Sequence, residues 1–105
     1  MNDDQKLLQW RREVALVARG VLSNTGNMKR DVYGDYNLTN AEIQRYIAHY
    51  VSGHAIAKIM SLAGAMKKQL YSRTKKITER GYVFNDTTLE KLRSELQWAE
   101  EKNDE

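Results

Sequence analysis

No proline occurs anywhere in the 105 residues, and this constrains the fold more than any other feature. No residue lacks a backbone donor, so nothing forces a break in a helix. Helices of any length are open to the chain, and their ends must come from weaker signals: glycine, capping side chains and turn residues. Cysteine is missing as well, which excludes disulfide frameworks, thiolate zinc sites and cysteine nucleophiles. The length suits one domain and excludes a large multi-domain enzyme. With 41% apolar and 30% charged residues, each helix is expected to bury one stripe and solvate the rest.

Read by helical period, the chain is all-α: a single domain over residues 1–105, with four to five helices and a helix-turn-helix-like core. In 1–23, Leu7, Trp10, Val14, Val17 and Val21 recur at spacings of 3 and 4, and Ser23 to Asn27 are turn residues that stop that helix. Residues 28–36 show no period and read as a linker or functional loop. Within 38–81, Thr39-Asn40-Ala41-Glu42 matches a capping box. It opens a helix near Asn40, with Ile43, Tyr46 or Ile47, and Tyr50 or Val51 inward, that stops at Ser52-Gly53. A further helical run goes from His54 to about Arg80. Residues 86–102 form the last helix, with Leu89, Leu92, Leu96 and Ala99 on one face.

The net charge of +3 is unevenly spread. Residues 1–28 carry +1, residues 29–82 carry +6 and residues 83–105 carry −4. No acidic residue lies between Glu42 and Glu79, and an uncompensated basic stretch of this kind attracts polyanions. A solvated helix face is the plain alternative.

Counted from Ile56 as a helix-turn-helix, the inward positions fall on Ile59, Ala63, Ala65 and Leu70, with Gly64 at the turn. Met60 and Arg73 depart from the pattern. Leu38-Thr39-Asn40-Ala41-Glu42 resembles the opening of LuxR-type and sigma-region-4 DNA-binding domains, and Val51-x-Gly53-His54 with Ile59 resembles regulators of fimbrial adhesin operons. The resemblance covers about residues 38–80 and implies a DNA-binding transcription regulator. It places a recognition helix from about Met66 to Glu79. On that helix Lys67, Lys68, Tyr71 and Ser72 approach base edges, and Gln69 pairs with adenine if it faces outward. Arg73, Lys75, Lys76 and Arg80 then hold phosphates, with Arg45 and Lys29-Arg30 as outer contacts. A continuous helix competes with this, because Ile56, Ile59, Ala63, Met66, Leu70 and Ile77 also follow a heptad stripe interrupted only at Arg73; Gly64 decides between the two.

Other chemistry is weakly signalled. His49 and His54 lack a third metal ligand nearby, and no nucleophile elbow, phosphate-binding glycine loop or catalytic carboxylate pair occurs, so neither an enzyme nor a cofactor is expected. Six tyrosines offer base stacking or, more often, buried rings with wet hydroxyls. No apolar run reaches bilayer length, and the acidic start gives no secretion signal, so a cytoplasmic protein without a membrane partner is expected. The composite expectation is a regulator of the kind common on mobile elements, acting on double-stranded DNA. It would form a homodimer through Trp10, Val14, Val17, Leu89, Leu92 and Leu96. The alternative is a phage- or plasmid-encoded inhibitor or adaptor whose basic face docks on a protein partner.

Overall fold

The computed structural model describes residues 3–47 and 49–103. The first helix, α1, spans Asp3–Asn24 and runs into a single 3-10 turn at Thr25–Asn27. Val14, Val17, Ala18 and Val21 bury one stripe of it completely or nearly so, as the helical period requires. Gly20 lies on the same helix, where the Tyr46 ring comes so close that a Cβ would sit 2.0 Å from its Cδ1. Only glycine admits that approach.

A four-residue strand, β1 (Tyr36–Thr39), follows the 28–35 loop and leads directly into α2 (Asn40–Gln44). The capping box is present: Thr39 Oγ1 accepts from Glu42 N–H at 3.2 Å and Glu42 Oε1 accepts from Thr39 N–H at 3.1 Å. Two tight turns then prolong α2, with Tyr46 N–H donating to Ile43 and Ile47 N–H to Gln44. Helix α3 (Gly53–Ala63) begins at Ser52, whose side chain accepts from Ala55 N–H at 3.1 Å. Ile56, Ile59, Met60 and Ala63 form its buried face.

At Gly64 the backbone turns left-handed (φ 79°, ψ 15°), and Ala65 N–H closes back onto Met60 at 3.0 Å. A glycine in this conformation ends a helix at little steric cost. The chain then forms β2 (Met66–Ser72) and β3 (Ile77–Phe84), before α4 (Asp86–Asn103) completes the fold. The three strands make one antiparallel sheet in the order β1-β3-β2.

The all-α expectation is therefore corrected: the protein is mixed α/β, and the recognition helix placed at Met66 to Glu79 is a β-hairpin. Met66 and Leu70 are four residues apart, and an even spacing lands on one face of a strand as readily as on one face of a helix. Likewise Tyr36, expected in the 28–36 segment, and Leu38, expected to open the helix-turn-helix-like segment, alternate into the core from β1.

One core joins the layers. Val14 and Val17 of α1, Ile59 and Met60 of α3, Tyr82 and Phe84 of β3, and Leu89 and Leu92 of α4 all belong to it, with Trp10 and Leu96 partly buried against it. The apolar stripe expected to join two copies of the chain is thus occupied within one. Tyr50 is 83% exposed, leaving Ile47 and Val51 as the inward pair. Among the described residues, no helix is long and apolar enough to cross a membrane.

Candidate nucleic-acid interface

The hairpin β2–β3 gathers nine of the twelve residues expected to touch DNA, namely Lys67, Lys68, Gln69, Tyr71, Ser72, Arg73, Lys75, Lys76 and Arg80, while Lys29 and Arg30 lie in the 28–35 loop. Arg45 lies apart, exposed at the end of α2. Pairing fixes which of them act together. Lys67 stands opposite Tyr82, Gln69 opposite Arg80, and Tyr71 opposite Thr78, and directly paired residues share one face of a sheet. Tyr82 packs in the core, so this face continues the side on which the helices lie, but beyond the helices it is bare. It presents Lys67, Gln69, Tyr71, Thr78 and Arg80 to solvent, with Tyr71 64% exposed.

The other face carries Met66, Lys68, Leu70, Ser72, Ile77 and Glu79 and is treated differently by the fold. Asp31 reaches it from the 28–35 loop, with Oδ2 4.0 Å from Lys68 Nζ. Its carboxyl accepts from Asn37 Nδ2 at 2.8 Å and from the Tyr33 and Asp35 amides. The Asn37 hydrogen bond foremost, then the backbone donors and Lys68, holds Asp31 below the usual carboxylate range. Lys68 therefore lies on the loop side of the ribbon, on the face opposite Lys67, where a helical reading would turn both to one groove.

Residues 73–76 form the tip of the hairpin. Lys76 N–H donates to Ser72 O at 2.7 Å and Lys75 N–H to Ser72 Oγ at 3.2 Å. Lys76 adopts φ 57°, the left-handed geometry that closes loops of this length. Ser72 is thus a turn former. Lys75 pairs with Glu79 at 3.3 Å. Among the described residues, Lys67, Arg73, Lys76 and Arg80 have no acidic side chain within ion-pair distance. Four uncompensated cations on a protruding ribbon raise the local potential well above that of a mixed surface.

Among the other basic groups, Arg30 and His49 are engaged in structure. Arg30 donates to Gly34 O at 2.7 Å, lies 4.7 Å over the Tyr36 ring and pairs with Asp86 at 3.4 Å. His49 Nε2 sits 3.3 Å from the buried Glu13 carboxylate, while His54 is on α3. No group of three or more His, Cys, Asp or Glu side chains is placed to hold a metal among the described residues.

Sequence reasoning missed the outer stripe of α3. His54, Lys58 and Ser61 are exposed at spacings of 4 and 3, opposite the buried Ile56, Ile59 and Met60. Together with Lys6, Gln9 and Trp10 of α1, His54 and Lys58 line a shallow groove of about 440 Å3. The polar spacing is visible in the sequence, but a scaffold helix in a helix-turn-helix draws attention only to its inner face. No family model, curated protein or solved structure matches the chain, so function is read from the residues themselves.

Proposed function

We propose that this chain binds double-stranded DNA as a transcription regulator, with the β2–β3 hairpin as its charged element and α3 as the helix offered to the major groove. The observation that carries this is the bare face of the hairpin. Lys67 and Arg80 supply cations for phosphates, Gln69 supplies an amide able to pair with adenine, and Tyr71 supplies an exposed ring. A two-stranded ribbon is narrow enough to enter or flank a groove. The α2–α3 arrangement adds to it: a capped short helix, a turn, and a second helix exposing His54, Lys58 and Ser61. Regulation would follow from occupancy, the bound protein blocking or recruiting polymerase at its site.

Anisotropy of a labelled duplex, titrated at low and at physiological salt, tests the reading. Binding should weaken steeply with salt. Lys67→Ala together with Arg80→Ala should lower affinity about tenfold or more and flatten the salt slope by about two. Selection from a random duplex pool should return a preferred sequence, and cooperative binding to a palindrome would identify a pair of chains as the acting form. Binding to an acidic protein but not to duplex at low salt would favour the adaptor alternative and overturn the DNA reading.

A further inference from the structure

The face of α1 and α4 distant from the core carries a groove of about 480 Å3, within the range of about 300–1,000 Å3 typical of small-molecule sites. Leu8 and Leu16 of α1 and Leu96 and Trp98 of α4 wall it, and Arg12 and Arg19 stand on the same lining. The other arginines of α1 and α4 are paired, Arg11 with Glu95 and Arg93 with Glu90. Arg11 donates through Nε to Glu95 Oε2 at 2.9 Å, and its guanidinium lies 3.9 Å from the centre of the Trp98 ring. That contact covers one face of the indole and pins it as part of the groove wall. Arg12 and Arg19, by contrast, have no acidic partner among the described residues.

We propose that this groove binds a small amphipathic carboxylate, its apolar body lying along Leu16, Leu96 and the indole of Trp98 and its acid group held by Arg12 or Arg19. Two features select this occupant. An apolar channel flanked by unpaired guanidinium groups favours an anion with a hydrophobic body, because the planar fork of arginine matches a carboxylate. A second copy of the chain fits less well. The outward residues of α4, among them Glu90, Arg93, Ser94, Gln97, Glu100 and Glu101, are polar and exposed, so that helix offers no apolar stripe with which to fill a partner's groove. The site lies apart from the hairpin residues assigned to DNA, so its existence does not depend on that assignment.

The two indole N–H signals of the 15N-labelled full chain, assigned with Trp10→Phe, report the two tryptophans separately. Titration with 4-phenylbutyrate should move the Trp98 signal saturably and leave that of Trp10 in place. The neutral isostere 4-phenylbutanol should bind about tenfold more weakly, the difference expected for one charge-assisted hydrogen bond. Arg12→Gln with Arg19→Gln, both at exposed positions, should abolish the preference for the acid without shifting the thermal unfolding midpoint. Equal affinity for acid and alcohol, movement of Trp10 instead, or no saturation at the solubility limit would each overturn the proposal. So would a Trp98 signal that responds to protein dilution and not to the acid, since the groove would then be an interface between copies.

Discussion

The inner face of the α1–α4 pair and the β2–β3 hairpin carry similar side chains and use them in opposite ways. There Arg11 and Lys91 both converge on the buried Glu95, and Leu89 and Leu92 of α4 lie in the core. In the hairpin, Lys67, Arg73, Lys76 and Arg80 face water, and the apolar residues Met66, Tyr71 and Ile77 are largely exposed. The difference teaches where to look for function: a charge satisfied inside the chain holds structure, and one left unsatisfied on a rigid ribbon is available to a partner.

The contrast is most exposed to failure in the core. Leu92, fully buried, should cost about 3 kcal/mol when replaced by Ala, whereas Ile77→Ala, at a site 49% exposed, should stay within about 0.5 kcal/mol; urea unfolding measures both. A large loss at Ile77 would show the hairpin to be covered. Next, Glu95→Gln should lower stability by about 1–2 kcal/mol, a value reduced because Arg11 is partly solvated, while duplex affinity stays unchanged. Tyr82 sharpens the boundary between the regions, since its hydroxyl is buried with no hydrogen-bond partner. Tyr82→Phe should therefore raise stability by up to about 1 kcal/mol.

Burial also pushes the Tyr82 phenol above its ordinary 10.0. The folded state thus keeps that proton longer than the unfolded chain. Its contribution is complete below pH 10.0 and is lost as pH rises through the higher folded value, so alkaline unfolding should be delayed in the Phe variant. The smallest effect belongs to the hairpin tip. Lys76→Gly relieves a left-handed backbone and should stabilise by about 0.5 kcal/mol in thermal unfolding, because the added freedom of the unfolded chain offsets part of the gain.

The terminal helices and the capping box were legible in the sequence because each depends on neighbours within a turn or two. Val14, Val17 and Val21 fit only a helical period, and Thr39 and Glu42 satisfy each other across one turn. The hairpin was not, for two physical reasons. Met66-Lys67-Lys68-Gln69 lacks the β-branched and aromatic residues favoured in strands, and its strand exists because Tyr82, Val83 and the rest of β3 pair with it. The break at Gly64 was readable from the residue itself, but the strand beyond the break depends on long-range pairing. For the candidate interface, charge marked a basic segment whatever its fold, since a run of Lys and Arg is basic in any conformation. Register alone decides that Lys67 and Arg80 share a face while Lys68 turns to Asp31.

Strand β2 lies at the open edge of the sheet, with its outer backbone groups free to pair with another strand. Its lysines do a second task there, since edge charges keep like strands from joining. Neutralising Lys67 therefore removes a cation of the proposed interface and a guard against edge-to-edge association at once. Variants made to weaken the proposed DNA contact should also be those most prone to precipitate when concentrated, so solubility and affinity have to be followed together.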